Sequence, residues 1–265
     1  MSRVPRWVAG AFVAAACIGA CTDVGTAPDA IVSLAFDTLP YPSVVATDTM
    51  RDSTGKIAPL SAVAYNSAGD VIANPSVRYL ALDSGVDITP QGYLIATTRT
   101  GGTVRVVAAA ATLQSLQKTV IITHAPKAFA AGSATADTVH YTAPDTAAKN
   151  VSKAMTVKLT RDSAGTTVGV PGFLVSWQVT FQGRTIATAD TTISSLWDDA
   201  TSRKVSVVDT TGNDGASART LRIRSNHLPV VQDSFLVSAN VRYRGTVVAG
   251  SPVRFVIHFL PKTAR

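Results

Sequence analysis

Residues 154–181, AMTVKLTRDSAGTTVGVPGFLVSWQVTF, decide the fold. Met155, Val157 and Leu159 alternate with Thr156, Lys158 and Thr160, and Val175, Trp177 and Val179 alternate with Ser176, Gln178 and Thr180. A period of two is the mark of a strand with one buried face. Between the two runs, Asp162-Ser163-Ala164-Gly165 supplies the Asx side chain and the glycine that tight strand connections need. The same local grammar stands earlier in the chain. Ser67-Ala68-Gly69 recurs as Ser163-Ala164-Gly165 and Pro75 as Pro171, both at an offset of 96 residues, and each set lies between two alternating runs.

Working outward, alternating runs in the first half span Ala30 to Phe36, Leu60 to Tyr65, Ser76 to Leu82, Tyr93 to Thr97, Val104 to Ala110 and Thr119 to Thr123. The second half repeats the pattern in Thr138 to Thr142, Ala154 to Thr160, Phe173 to Phe181, Thr185 to Ala189, Val205 to Asp209, Ala218 to Arg224, Leu236 to Tyr243 and Val253 to Phe259. Short strands at such spacing predict β-sandwiches. Composition agrees: all 17 acidic residues are Asp, none is Glu, and Val and Thr number 33 each. A chain without Glu and rich in β-branched residues is poor in long helices and suited to pleated sheets. The small-residue stretch Ala128 to Ala136 after Pro126 shows no strong period and places a boundary near Pro126. The expected layout is therefore a leader over 1–20, a flexible tether over 21–29, one sandwich over 30–126 and a second over 127–265. The second carries an extended middle segment from Gly183 to Arg203.

The leader, MSRVPRWVAGAFVAAACIGAC, has Arg3 and Arg6 as a positive flank and an apolar core, Val8 to Ala16, too short for a permanent span. Its close, Ile18-Gly19-Ala20-Cys21, resembles the lipobox of bacterial lipoproteins. That resemblance implies cleavage before Cys21, acylation of its thiol and a membrane attachment through lipid alone. Thr22 follows the cysteine, with Asp23 one place later, and the resemblance then points to the outer membrane. The alternative is an ordinary secretory signal cut near Ala20 with Cys21 an idle thiol. Cys17 and Cys21 are the only cysteines, so the exported part forms no internal disulfide and packing alone must hold it.

Val63-Ala64-Tyr65, the turn at Gly69-Asp70, Val77-Arg78-Tyr79, Gly92 to Ala96 and Gly101 to Val106 resemble the strand-turn-strand order of the bacterial immunoglobulin-like (Big) family of intimins, invasins and envelope lipoproteins. Val157 to Gly165, Val175-Ser176-Trp177, Thr211 to Ala216 and Gly250 to Val253 resemble an invasin-type version. The resemblance implies an all-β protein of two tandem immunoglobulin-like β-sandwich domains following a cleaved signal peptide, with Trp177 as a core tryptophan. It does not by itself give a function.

Residues able to carry chemistry are few. His124, His140, His227 and His258 lie at no metal-ligand spacing, and there is no Gly-x-Ser-x-Gly elbow, free mature thiol or Glu, so the reading is non-enzymatic with no cofactor. The loop Asp209 to Gly215 is oxygen-rich; Asp209 and Asp214 are calcium candidates, although Asp, Asn and Gly also make a structural turn. Trp197 beside Asp198-Asp199 reads either as an exposed contact aromatic or as a cover for one end of the sandwich. Residues 127–265 carry 16 basic and 9 acidic groups, against 6 and 8 over 21–126. Arg222 and Arg224, and Arg242 and Arg244, alternate along their strands, so neighbouring strands would join them, with Arg254, into one basic face for an anionic envelope glycan or another envelope protein. A solvated face that protects sheet edges is the plain alternative. Nucleic acid is not an expected partner. The combined expectation is a lipid-anchored outer-membrane protein acting as spacer and binding or adhesion module, with a structural or assembly subunit of an envelope complex as the alternative.

Overall fold

A computed structural model describes residues 30–141, 150–188, 191–198, 203–224, 228 and 232–261. Cys21, with the leader and tether, lies outside the described residues, as do Asp199 and His227. The described residues contain no helix.

The first sandwich is built from β1 (Ser33–Ala35), β2 (Ser43–Val45), β3 (Val63–Tyr65), β4 (Arg78–Ala81), β5 (Val86–Ile88), β6 (Leu94–Ala96), β7 (Gly102–Ala110), β8 (Leu113–Gln114) and β9 (Lys118–Thr123). One sheet has the order β2-β9-β7-β4, with β8 folded back on β7; β1 pairs with β3 and β5 with β6. The second comprises β10 (Ala128–Ala131), β11 (Ala136–Tyr141), β12 (Met155–Ser163), β13 (Thr166–Gly169), β14 (Leu174–Phe181), β15 (Arg184–Ile186), β16 (Ser194–Trp197), β17 (Val208–Thr210), β18 (Ala216–Ile223), β19 (Asp233–Tyr243), β20 (Thr246–Val247) and β21 (Val253–Pro261). Its sheets run β10-β12-β18-β16 and β11-β21-β19-β14-β15. In both sandwiches the opening stretch splits: β1 and β10 lie antiparallel to β3 and β12, while β2 and β11 lie parallel to the last strands, β9 and β21. This split first strand, with Greek-key crossing between two sheets, makes both immunoglobulin-like.

The alternation read from sequence is what the core uses. Val175, Trp177, Val179 and Phe181 of β14 face inward, and with them Phe235, Val237, Ala239 and Val241 of β19 and Val253, Phe255, Ile257 and Phe259 of β21. Phe181, Phe235 and Phe259 form a ring cluster with centroids 4.8 to 5.9 Å apart, and Trp177 stacks on Phe255 at 6.0 Å. A separate cluster, including Phe36, Met50, Leu60, Leu94, Val106 and Ile122, fills the first sandwich. The offset of 96 has a structural meaning: it carries Arg78, which opens β4, onto Leu174, which opens β14. Ala164 (φ 49°) and Gly165 (φ 80°) make the two-residue turn between β12 and β13. At the equivalent place Asn66 Oδ1 accepts from the Ala68 and Asp70 amides, so the related sequence closes a wider turn.

Two readings from sequence are corrected. Ala128–Ala131 is an edge strand, not an aperiodic stretch: alanines lack the polar contrast that reveals a period, yet Phe129 is 2 % exposed and anchors β10 on the core. The extended middle segment is neither a single hairpin nor a loose loop. β15 finishes a hairpin on β14, whereas β16 joins the opposite sheet beside β18. The chain then returns, the Ser206 amide donating to Leu196 (3.0 Å) and the Trp177 amide donating to Val207 (2.7 Å), which ties the open edges of the two sheets together.

Candidate functional site

The joint between the two sandwiches is held by side-chain hydrogen bonds that span 129 to 196 positions of sequence. On the first sandwich it uses the segment around β2 and the turn at Asp52 to Gly55; on the second it uses Gly172 to Leu174 and the Arg244-Gly245 turn between β19 and β20. Ser43 Oγ donates to the Gly172 carbonyl at 2.7 Å, and the Leu174 amide donates to Tyr41 Oη at 2.8 Å. Tyr41 meets Phe173 edge-on at 6.0 Å, and Phe173 meets Tyr243 at 6.1 Å, so an aromatic ladder crosses the boundary. Burial pushes the Tyr41 phenol up to about 12, against the hydrogen bond from Leu174.

Asp48 is the electrostatic centre. Its Oδ1 accepts from the Thr49 amide at 2.9 Å, and Arg51 reaches both carboxylate oxygens at 3.3 Å. From the other sandwich, Arg244 donates to Oδ2 through Nε at 3.0 Å and Nη2 at 2.9 Å. Burial disfavours the ionised Asp48 carboxylate, but the bonds from Arg51, Arg244 and Thr49 outweigh it and hold the acid below its ordinary range. The Arg244 guanidinium is raised by the same contact and lies 5.3 Å from the Tyr243 ring centre. Backbone meets backbone directly here. A Cβ on Gly55 (φ +90°) would fall 2.1 Å from the Gly245 nitrogen, so only glycine fits. The space left between these groups is about 40 Å³, room for little more than water. The joint is a packed contact, not a ligand pocket.

The arginines predicted to form one basic face do not come together. Arg222 and Arg224 belong to β18 and its end, in the sheet β10-β12-β18-β16; Arg242 and Arg244 belong to β19 and its turn, in the opposite sheet. Arg222 is moreover 2 % exposed, its guanidinium donating to the Ile223 and Asn150 carbonyls and lying 5.8 Å from the Trp197 ring centre. Arg224 is exposed and its amide donates to Ile193. Arg242 is exposed, donates to the Gly245 carbonyl at 3.2 Å, and shares the outer face of its sheet with Arg254. Arg244 is committed to Asp48. Trp197 is not an exposed contact aromatic: it is 7 % exposed, with Arg203 and Arg222 both within 6 Å of its ring.

Of the calcium candidates, Asp209 accepts from Ser217 Oγ (2.7 Å) and the Ala218 amide (3.2 Å) and pairs with buried Arg219 at 3.1 Å. Asp214 caps its own turn through the Ala216 amide at 3.0 Å. Both carboxylates thus serve the loop, and the described residues contain no cluster of three or more metal-ligating side chains. Tyr41, Asp48 and Gly55 carry no signal in the sequence, because no period or repeat pairs residues 196 positions apart.

No family model matches the chain. No curated protein matches it either. Among solved structures, domains 4 and 5 of the S-layer protein SbsC align at 13 % identity over 86 % of this chain and 96 % of that one, with a TM-score of 0.29. The Yersinia pseudotuberculosis adhesin InvE aligns at 12 % identity over 82 % of this chain and 56 % of that one, TM-score 0.31. The D00-D0 domain of Intimin aligns at 14 % identity over 86 % of this chain and all of that one (100 %), TM-score 0.26. Overlap at this level carries no argument about activity, and the fold assignment above stands on strand pairing alone.

Proposed function

We propose that this chain is a non-enzymatic envelope lipoprotein, anchored in the outer membrane through Cys21, in which the first sandwich is a spacer and the second is a binding or adhesion module. The observation that supports this reading is the joint. A spacer is useful only if it fixes where the distal module points, and here Tyr41, Ser43, Asp48 and Gly55 lock one sandwich onto the other instead of leaving them on a free linker. Exposed Arg242 and Arg254 on the outer face of the second sandwich give it an anion-attracting surface suited to envelope glycans or an acidic envelope protein. A second reading, an assembly subunit, draws on the exposed Val32, Val63 and Val71 around the β1–β3 pair, an apolar edge on the membrane-proximal sandwich.

The test compares tagged wild type with Cys21→Ala in cell fractions and under protease applied to intact cells. The adhesion reading expects wild type in the outer membrane, cut on whole cells, with the variant released in soluble form. Wild type that is membrane-bound but protected favours the assembly reading. An unchanged distribution of Cys21→Ala overturns the lipid anchor.

A further inference from the structure

The sheet β2-β9-β7-β4 of the first sandwich has two edges of different kinds. At β2 the edge is covered by the joint, where Ser43 reaches Gly172. At β4 it is open: among the described residues β4 pairs with β7 alone. The Leu82 amide donates to the Arg105 carbonyl at 2.8 Å, and in an antiparallel ladder the residues bonded to one neighbour alternate with those bonded to the other. Arg78, Leu80 and Leu82 therefore bond to β7, and Tyr79 and Ala81 turn their backbone groups toward the open edge. The partner strand agrees in phase. Ala108, opposite Tyr79, exchanges bonds with Ser115 on its far side, its amide donating to Ser115 Oγ at 3.0 Å and its carbonyl accepting from the Ser115 amide at 2.9 Å.

Sheet edges are commonly blunted by proline, bulges or rows of charge. This one presents leucines. Leu80 and Leu82, 40 % and 47 % exposed, share the outer face of the sheet, with Val107 of β7 beside Leu80. The two ends of the strand carry opposite charges. Exposed Arg78 opens β4 and joins none of the ion pairs among the described residues, whereas Asp83, just past its end, holds Arg105 at 2.7 Å.

We propose that β4 pairs antiparallel with β4 of a second copy of this chain, joining two first sandwiches through one continuous sheet. The dyad falls at Leu80, the middle of the segment from Arg78 to Leu82. Tyr79 then exchanges both backbone bonds with Ala81 of the second copy, and Ala81 with its Tyr79, so every outward backbone group of these two residues is bonded. Leu80 meets Leu80 across the dyad, and Leu82 lies against Arg78, whose guanidinium comes beside the second copy's Asp83. An unrelated strand would have to bring a base and an acid to the matching ends; an identical one has them by symmetry. This contact uses neither the anchor nor the joint.

Sedimentation equilibrium on the full chain carrying Cys17→Ser and Cys21→Ser, which leaves no acyl chain or disulfide to link copies, tests the proposal. The expected result is a reversible monomer–dimer equilibrium with a Kd of about 1–100 µM. Leu80→Lys, which sets like charges face to face, and Ala81→Pro, which removes an outward N–H and leaves the β4–β7 bonds whole, should each raise that Kd at least about tenfold with an unchanged urea midpoint. Leu80→Lys then also serves as a monomeric background for measurements across the joint. The register is read by single cysteines under mild oxidation. Across the dyad the Cα atoms of Leu80→Cys stand about 4.5 Å apart, within disulfide reach, whereas those of Leu82→Cys are four residues out of step, about 14 Å apart, so the first variant cross-links and the second does not. Should Ala81→Pro fold poorly, Leu80→Lys, at an exposed side chain, carries the test. A chain still monomeric at about 500 µM, a Kd unmoved in folded Leu80→Lys, or equal cross-linking of the two cysteine variants overturns the proposal.

Discussion

Gly55→Ala should pry the two sandwiches apart without touching either core. The added Cβ would stand 2.1 Å from the Gly245 nitrogen and 2.4 Å from the Arg244 carbonyl carbon, where ordinary contact begins at 3.4 Å. Close-packed backbone cannot absorb that overlap, so the two turns must separate by about 1.3 Å. A separation of that size transmitted across the joint carries the Tyr41–Leu174 and Arg244–Asp48 contacts, now 2.8 and 2.9 Å, beyond hydrogen-bonding range. Each such bond contributes about 1 kcal/mol net, and a charged one about 2, so the joint loses roughly 3–4 kcal/mol. The positive φ adds strain of about 1–2 kcal/mol. Gly69→Ala is the control: its φ of +85° imposes the same kind of strain, but nothing lies within 4 Å of the added methyl. Amide exchange at Leu174 and small-angle scattering read the outcome. Gly55→Ala should speed Leu174 exchange by roughly 100- to 1,000-fold and broaden the distance distribution, each sandwich retaining its own cooperative unfolding, while Gly69→Ala matches wild type. Wild-type scattering and exchange in Gly55→Ala, or identical behaviour of the two variants, would refute the reasoning.

Three further outcomes follow from the same geometry. Because Asp48 titrates below its ordinary value, its contribution to the joint is complete above the usual carboxylate range and is lost as pH falls through the depressed pKa; scattering should show the sandwiches separating only in that acid window, and Asp48→Asn should be loose at neutral pH. Tyr41, raised from 10.0 to about 12, favours the closed joint fully below pH 10 and loses that contribution as pH rises through 12; burial raises Tyr79 and Tyr243 too, and near-ultraviolet titration should show that Tyr41→Phe removes the latest of the late phenols. Arg222→Leu leaves the carbonyls of Ile223 and Asn150 without the guanidinium and removes the cation over Trp197, so urea unfolding of the second sandwich should fall by about 2–4 kcal/mol; unchanged stability would show Arg222 to be a surface residue after all.

The strands that sequence exposes are those with contrast between their faces. Phe173 to Phe181 and Val253 to Phe259 alternate large apolar with polar residues, and both emerge as β14 and β21 with the expected side inward. Ser43–Val45 and Ala128–Ala131 are short or uniformly small, so their pairing is decided by the sheets they join and not by their own pattern. Arg222 misleads for a related reason. Its alternation with Leu221 and Ile223 puts it on the outer face of β18, but Trp197 of β16, across the pair, covers that face. The joint was invisible because Asp48 and Arg244 are ordinary turn-region charges until the fold brings them together, and nothing periodic links residues so far apart.

A distance measurement across the joint tests the central claim most directly. Spin labels at Leu116→Cys, 88 % exposed on the first sandwich, and Arg184→Cys, exposed on the second, in a background with Cys17→Ser and Cys21→Ser, report the distribution of separations in solution. A spacer with a locked joint predicts a single narrow distance at neutral pH that broadens when Gly55→Ala is added. A broad distribution in the otherwise unaltered chain would contradict it.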